Sequence, residues 1–108
     1  MYNVRTNSAT TTVQSFEELA QLAIATRDFV YAKDESTGKV FETEQPLYVL
    51  YNSDGLFMDC YSMSDKAFDN AISKGAAKVV LETKTHRLTS DERLYAETVH
   101  VYKSVVME

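Results

Sequence analysis

With a single cysteine, Cys60, the chain has no partner for an internal disulfide, so its fold must hold by packing and suits a reducing compartment. Three glycines and one proline leave no glycine-rich cradle for phosphates and no proline-rich linker between domains. No apolar run approaches the roughly 18 residues that cross a bilayer. Met1 to Thr12 contains one arginine but no hydrophobic region or cleavage site, so a cytoplasmic protein without membrane attachment is expected. A basic stripe is also missing, which argues against direct nucleic-acid binding, because a duplex binder displaces counterions from phosphates with clustered Lys and Arg.

What is present belongs to an ordinary folded domain. Of 108 residues, 44% are hydrophobic and 25% charged, a balance too apolar for disorder. A chain of this length buries roughly two-thirds of the surface its unfolded form exposes, enough for one core. The net charge is -5 but unevenly spread. Asp28 to Asp69 holds nine acids against Lys33, Lys39 and Lys66, whereas Lys74 to Lys103 holds six bases against four acids.

The expected fold class is α+β: a mainly antiparallel sheet of about five to six strands with two helices, near residues 15–27 and 65–74. Residues 1–14, rich in Thr and Ser (Thr6, Ser8, Thr10, Thr11, Thr12), read as an arm or edge strand before a single domain over 15–108. Ser15 with Glu18 three residues on has the spacing of a capping box. Phe16, Leu19, Ala20 and Ala23 then share one helical face. Phe29–Lys33 and Val40–Thr43 flank the turn residues Asp34 to Gly38, a longer hairpin. Pro46 suits the entry to the next strand, since it cannot donate to a ladder.

The most legible stretch runs from Leu47 to Glu82. Tyr48–Asn52 and Leu56–Met63 are joined by Asp54-Gly55, a pair that supplies the positive φ values of a tight turn. Pairing Ser53 with Leu56 sets Tyr51 opposite Met58 and Val49 opposite Cys60, with Leu47 on that same side. This apolar face is expected inward. The other face carries Asn52 beside Phe57, Leu50 beside Asp59 and Tyr48 beside Tyr61, and is expected outward unless the first helix covers it. Ser64 and Asp65 then open a helix that Gly75 closes, with Ala67, Phe68, Ala71 and Ile72 on one side. Val79–Leu88 and Leu94–Val106 form a second long hairpin, in which a loop of Thr89 to Glu92 would set Lys84 opposite Glu97 and Thr83 opposite Thr98.

Catalytic signatures fail one by one. Ser36-Thr37-Gly38-Lys39 resembles the end of a phosphate loop, but Lys33 stands where that loop needs glycine and Val40 where it needs a hydroxyl. Cys60 would need His86 or His100 as its base, and its strand face is apolar, which keeps a thiol unreactive. The histidines have neither metal-ligand spacing nor a cysteine partner, and a strand His beside Thr and Tyr is usually a surface group. The carboxylate pairs Asp34/Glu35, Glu42/Glu44 and Asp91/Glu92 read as solvated charges in loops or strand ends. No catalytic residue, metal or cofactor is therefore assigned.

Seven tyrosines without a tryptophan point instead to recognition, because Tyr joins a rigid apolar ring to a polar tip. The expected partner-binding set is Tyr48, Leu50, Asp54, Phe57, Asp59, Tyr61 and Asp69. The chain reads as a small acidic, non-enzymatic protein-binding module, a regulator or inhibitor of the kind a virus uses to block a host factor, docking on a basic protein surface. Two alternatives stand beside it. One is a small enzyme using the Cys60 thiol or a carboxylate pair; the other is a homo-oligomer joined through a free strand edge at Val99–Val106.

Overall fold

The computed structural model describes residues 1–6, 9–63, 65–89 and 94–108, which form eight strands and two helices in an α+β arrangement. In chain order these are β1 (Tyr2–Arg5), β2 (Thr10–Val13), α1 (Phe16–Thr26), β3 (Val30–Asp34), β4 (Val40–Thr43) and β5 (Leu47–Tyr51). There follow β6 (Phe57–Ser62), α2 (Asp65–Ser73), β7 (Lys78–Leu88) and β8 (Tyr95–Met107). The strand count exceeds the expected five to six partly because the first residues fold back on themselves. Thr6 N donates to Ala9 O at 3.0 Å, and the two short strands on either side pair Tyr2 with Val13 and Val4 with Thr11. Ser8, the Ser64 cap, the side chains of Asp65 and Ala67, and the loop residues Ser90 to Glu92 lie outside the described part.

All described pairings are antiparallel, in the order β2-β1-β3-β4-β7-β5-β6, with β8 on the other edge of β7. The position of β7 explains this order. Its far half pairs with β4 (Thr43 with Thr85) and its near half with β5 (Leu47 with Glu82), so β4 and β5 lie end to end along one edge. Between those two pairs, residues 44–46 face only 83 and 84, an extra residue that bends the edge at buried Pro46. Beyond this bend the sheet forks, with β3-β1-β2 continuing from β4 and β6 from β5.

Both helices lie on the same face of the sheet. Ser15 caps α1 as expected, its hydroxyl accepting from Glu18 N at 3.2 Å, while the Glu18 carboxylate reaches one residue further back, to Gln14 N at 2.9 Å. Left-handed Arg27 (φ 56°) ends the helix. Leu19 and Ala23, with half-buried Phe16 and Leu22, pack onto Val4, Val13, Val30, Ala32 and Phe41, the larger core. Each fully buried aliphatic side chain of Val or Leu size there contributes about 1.5–3 kcal/mol. On the other branch, Ala71 of α2 packs with Leu50 and Val79, joined by Tyr48, Met58, Tyr61, Ala76 and Met107. Ile72, expected on the apolar side of this helix, is exposed.

The hairpin registers refine the sequence reading. Tyr48 faces Tyr61, Val49 faces Cys60 and Leu50 faces Asp59, as expected. At the tip, Gly55 (φ 79°) is left-handed and Asp54 is not, and Asn52 N donates to Leu56 O at 2.9 Å around a three-residue loop rather than a two-residue turn. Tyr51 consequently faces Phe57, and a bulge leaves Met58 to join the α2 core instead of sharing a face with Cys60. The long hairpin departs further. Thr89 N closes on Leu94 O at 3.0 Å, and three irregularities follow along the strands, so Lys84 meets Val101, Thr83 meets Tyr102 and Arg87 meets Glu97.

Candidate functional site

The face of the β5–β6 hairpin expected outward is the covered one. Leu50 is completely buried, and Tyr48 and Tyr61 are half-buried in the α2 core, with Tyr48 edge-on to Phe68 at 6.1 Å between ring centres. Asp59 accepts from Lys74 Nζ at 2.7 Å, and that ammonium lies 5.1 Å above the Tyr61 ring. The Lys74 hydrogen bond, with the Cys60 N–H bond behind it, holds the Asp59 carboxyl below its usual range. Asp54 and Asp69 are exposed, the first at the loop tip and the second on α2, while Phe57 is 63% exposed and faces Tyr51 on the opposite side of the hairpin. The seven expected contact residues therefore do not form one outward patch. The physical reason is local: Lys74, just past α2, pairs with Asp59 and lies over Tyr61, while Phe68 and Ala71 meet Tyr48 and Leu50, so the second helix rather than the first covers this face.

The open surface is the reverse side of the sheet. Alternation along β7 places Val80, Glu82, Lys84 and His86 there, Val80 and His86 buried by their neighbours, opposite the side of Val79, which packs against Ala71 of α2. On the β5–β6 branch it forms a trough of about 380 Å³, lined by Leu47, Val49, Tyr51, Phe57 and Cys60, with Glu82, Lys84 and Lys103 at its border. Cys60, expected inside, is exposed here.

On the other branch, strand pairing builds a row. Arg5 faces Tyr31, Tyr31 faces Glu42, Glu42 faces His86 and His86 faces Thr98, so five strands each contribute one side chain to the same side. The Tyr95 ring stacks on the His86 imidazole with centres 4.1 Å apart and 16° between planes, and its hydroxyl donates to Glu42 Oε1 at 3.1 Å. His86 Nδ1 lies 3.0 Å from Thr98 Oγ1, and Nε2 lies 3.2 Å from Glu44 Oε2 without the alignment of a hydrogen bond. Glu42 is only 9% exposed and His86 7%, whereas Tyr31 and Tyr95 are 47% and 46% exposed. Desolvation, followed by the Glu42 charge, pushes the Tyr95 hydroxyl up to about 12. The Glu42 charge is also the main cause that raises Tyr31.

This cluster corrects two expectations. The Glu42/Glu44 pair is not simply solvated, because Glu42 sits inside β4 beneath Tyr95, and His86 is buried rather than a surface group. Period-two spacing does put Glu42 and Glu44 on one side, but only the long-range partners β3, β7 and β8 bury the first and spare the second. The remaining acids of the middle stretch are dispersed. Asp34 is occupied by Ser36 N, Ser36 Oγ and Thr37 Oγ1 at 3.0, 2.8 and 3.1 Å, which lowers its pKa, and Asp59 is held by Lys74. Among the described residues no group of His, Cys, Asp and Glu has the geometry to hold a metal ion, and no helix is long and apolar enough to cross a membrane. No protein-family model, curated protein or solved structure matches the chain.

Proposed function

We propose that the protein is a small acidic, non-enzymatic binding module that regulates or inhibits a partner protein, and that it engages this partner through the helix-free face of its sheet. One observation carries the reading. Both helices crowd onto one side, leaving Tyr31, Phe57, Tyr95, Val101 and Val105 exposed on the other, where half-exposed aromatic rings meet a trough of apolar side chains bordered by charged ones. The partner that fits is a basic protein surface or segment with one apolar anchor for the trough, because Glu42 and Glu44 bring negative charge to the aromatic end, while Lys84 and Lys103 beside Glu82 border the trough.

The test is capture of a partner from host lysate by full-length protein and by two variants. Phe57→Lys with Val101→Lys alters the open face, and Ile72→Lys alters the outer side of α2. The reading expects loss of the partner from the first variant only, and weaker capture as salt rises. Retention by the open-face variant with loss from Ile72→Lys would transfer the contact to the helical side.

A second reading has its own observation. β8 is an outer strand of 13 residues that pairs only with β7 among the described residues, and it exposes Val101, Val105 and Val106. Such an edge can pair with a second copy. Three register irregularities interrupt it, and bulges of this kind oppose continuous edge pairing. Light scattering of the purified chain separates a dimer from a monomer.

A further inference from the structure

Glu42 is the feature of the open face that packing leaves unexplained. Taking a carboxylate out of water is costly unless a cation or several donors compensate it. Among the described residues its only hydrogen-bond donor is the Tyr95 hydroxyl, at Oε1, and no Lys or Arg forms an ion pair with it. The nearby cations are otherwise placed. Lys84 lies 3.6 Å from Glu82, Arg87 is engaged by Glu97 at 2.9 Å, and Arg5 is two strands along the row, roughly 10 Å away at ordinary strand spacing. A second, independent observation lies beside it. The His86 side chain is more than nine-tenths buried, yet Nε2 has no hydrogen-bond partner and faces Glu44 out of line.

These groups share one deficiency. The second oxygen of Glu42 accepts from no described residue, the Glu44 carboxylate lies 3.2 Å from His86 Nε2 without bonding it, and two half-exposed phenol rings stand beside them. Acceptors under aromatic rings recognise a planar cation with several N–H groups: the guanidinium stacks on a phenol face while its edge serves more than one acceptor. An ammonium offers fewer donors and no plane to stack.

We propose that Tyr31, Glu42, Glu44, His86 and Tyr95 form a receptor for an arginine side chain of the partner segment that docks on the open face. The inference rests on the protein-binding reading and names the chemistry of its recognition. Arg insertion supplies the charge that Glu42 lacks, serves the Glu44 carboxylate from the same edge, and covers the exposed faces of Tyr31 and Tyr95. The adjoining trough over Val49 and Cys60 accepts an apolar side chain a few residues along the same segment.

The probe is a short peptide with one arginine and one leucine among glycines, titrated into the isotope-labelled full chain and followed by backbone amide shifts. Its counterparts place lysine or citrulline at the arginine position; citrulline keeps the planar shape and part of the N–H donor set but not the charge. The expected result is saturable shifts at residues 31, 42, 44, 86 and 95 with the arginine peptide, weaker binding with lysine and none with citrulline. Glu42→Gln should weaken the arginine peptide about tenfold or more, and its melting temperature should hold or rise, because glutamine still accepts from Tyr95 without a buried charge. Tyr95→Phe, which keeps the stacked ring, should lose less affinity than Glu42→Gln. Equal binding of citrulline, or a Glu42→Gln variant that melts lower and binds unchanged, would make the carboxylate structural and overturn the proposal. Failure here is separable from failure of the binding reading. A partner lost by the Phe57→Lys and Val101→Lys variant but indifferent to Glu42→Gln leaves the open face as the interface and removes only the arginine receptor.

Discussion

Leu50 and Phe57 belong to one hairpin, yet Leu50 is sealed beneath α2 while Phe57 is 63% exposed on the opposite side of the sheet. The contrast extends along both faces. One side gathers Tyr48, Leu50 and Tyr61 under Phe68 and Ala71, with Lys74 neutralising Asp59 at the rim. The other carries Leu47, Val49, Tyr51 and Cys60, which is the more apolar series by residue type, with Val49 buried between its neighbours and Cys60 exposed. Burial follows the location of the helices, and hydrophobicity alone does not rank the faces. A face whose polar tips can be satisfied from above will accept a cover. A more apolar face without a matching helix stays open and becomes available for recognition.

Three measurements sharpen or break this contrast. The largest effect belongs to Leu50→Ala, which should cost about 2–5 kcal/mol by leaving a cavity under α2. A denaturant midpoint that hardly moves would mean that α2 does not seal this side. The next comes from alkaline titration. Tyr95 holds its proton to about pH 12 in the fold against 10.0 ordinarily, so its contribution to stability is fully present below pH 10 and is lost as pH rises through 12. The ring is 46% exposed, so solvent screens the effect, and the expected sign is a shallow fall in stability that Tyr95→Phe abolishes, together with one phenol ionising later than the rest. An unchanged alkaline profile in that variant would mean that the Tyr95 hydroxyl is not the group whose proton the fold retains. The smallest effect is at Cys60, where replacement by serine should change stability by less than about 0.5 kcal/mol. The native thiol should label without denaturant; protection until unfolding would close the open face and reverse the assignment.

Much of the architecture is legible in the residues because it is local. The Ser15 cap, the limits of α1, the Asp34 to Gly38 turn and the central pairs of β5 with β6 follow from side chains within a few positions of one another. Choosing the covered face of that hairpin requires knowing that Lys74 reaches back to Asp59 and that Ala71 meets Leu50, both consequences of where α2 lands. The register of β7 with β8 fails for a similar reason: each bulge adds one residue, and nothing adjacent in sequence announces Ala96, Val99 or Val106 as the extra one. The Tyr31, Glu42, His86 and Tyr95 cluster draws on four separate strands, so only the acidic pair at Glu42 and Glu44 was visible in advance.

The fork at Pro46 has a bearing on how the molecule is assembled during synthesis. β4 and β5 precede Lys78–Leu88 in the chain, yet both take their shared neighbour from it, so none of the described strand pairings joins the two branches before that stretch is present. One long strand thus joins both branches, and β8 pairs with its remaining edge. A nascent chain halted before Lys78 carries two unjoined fragments with bare edges, the state in which this protein is most exposed to aggregation.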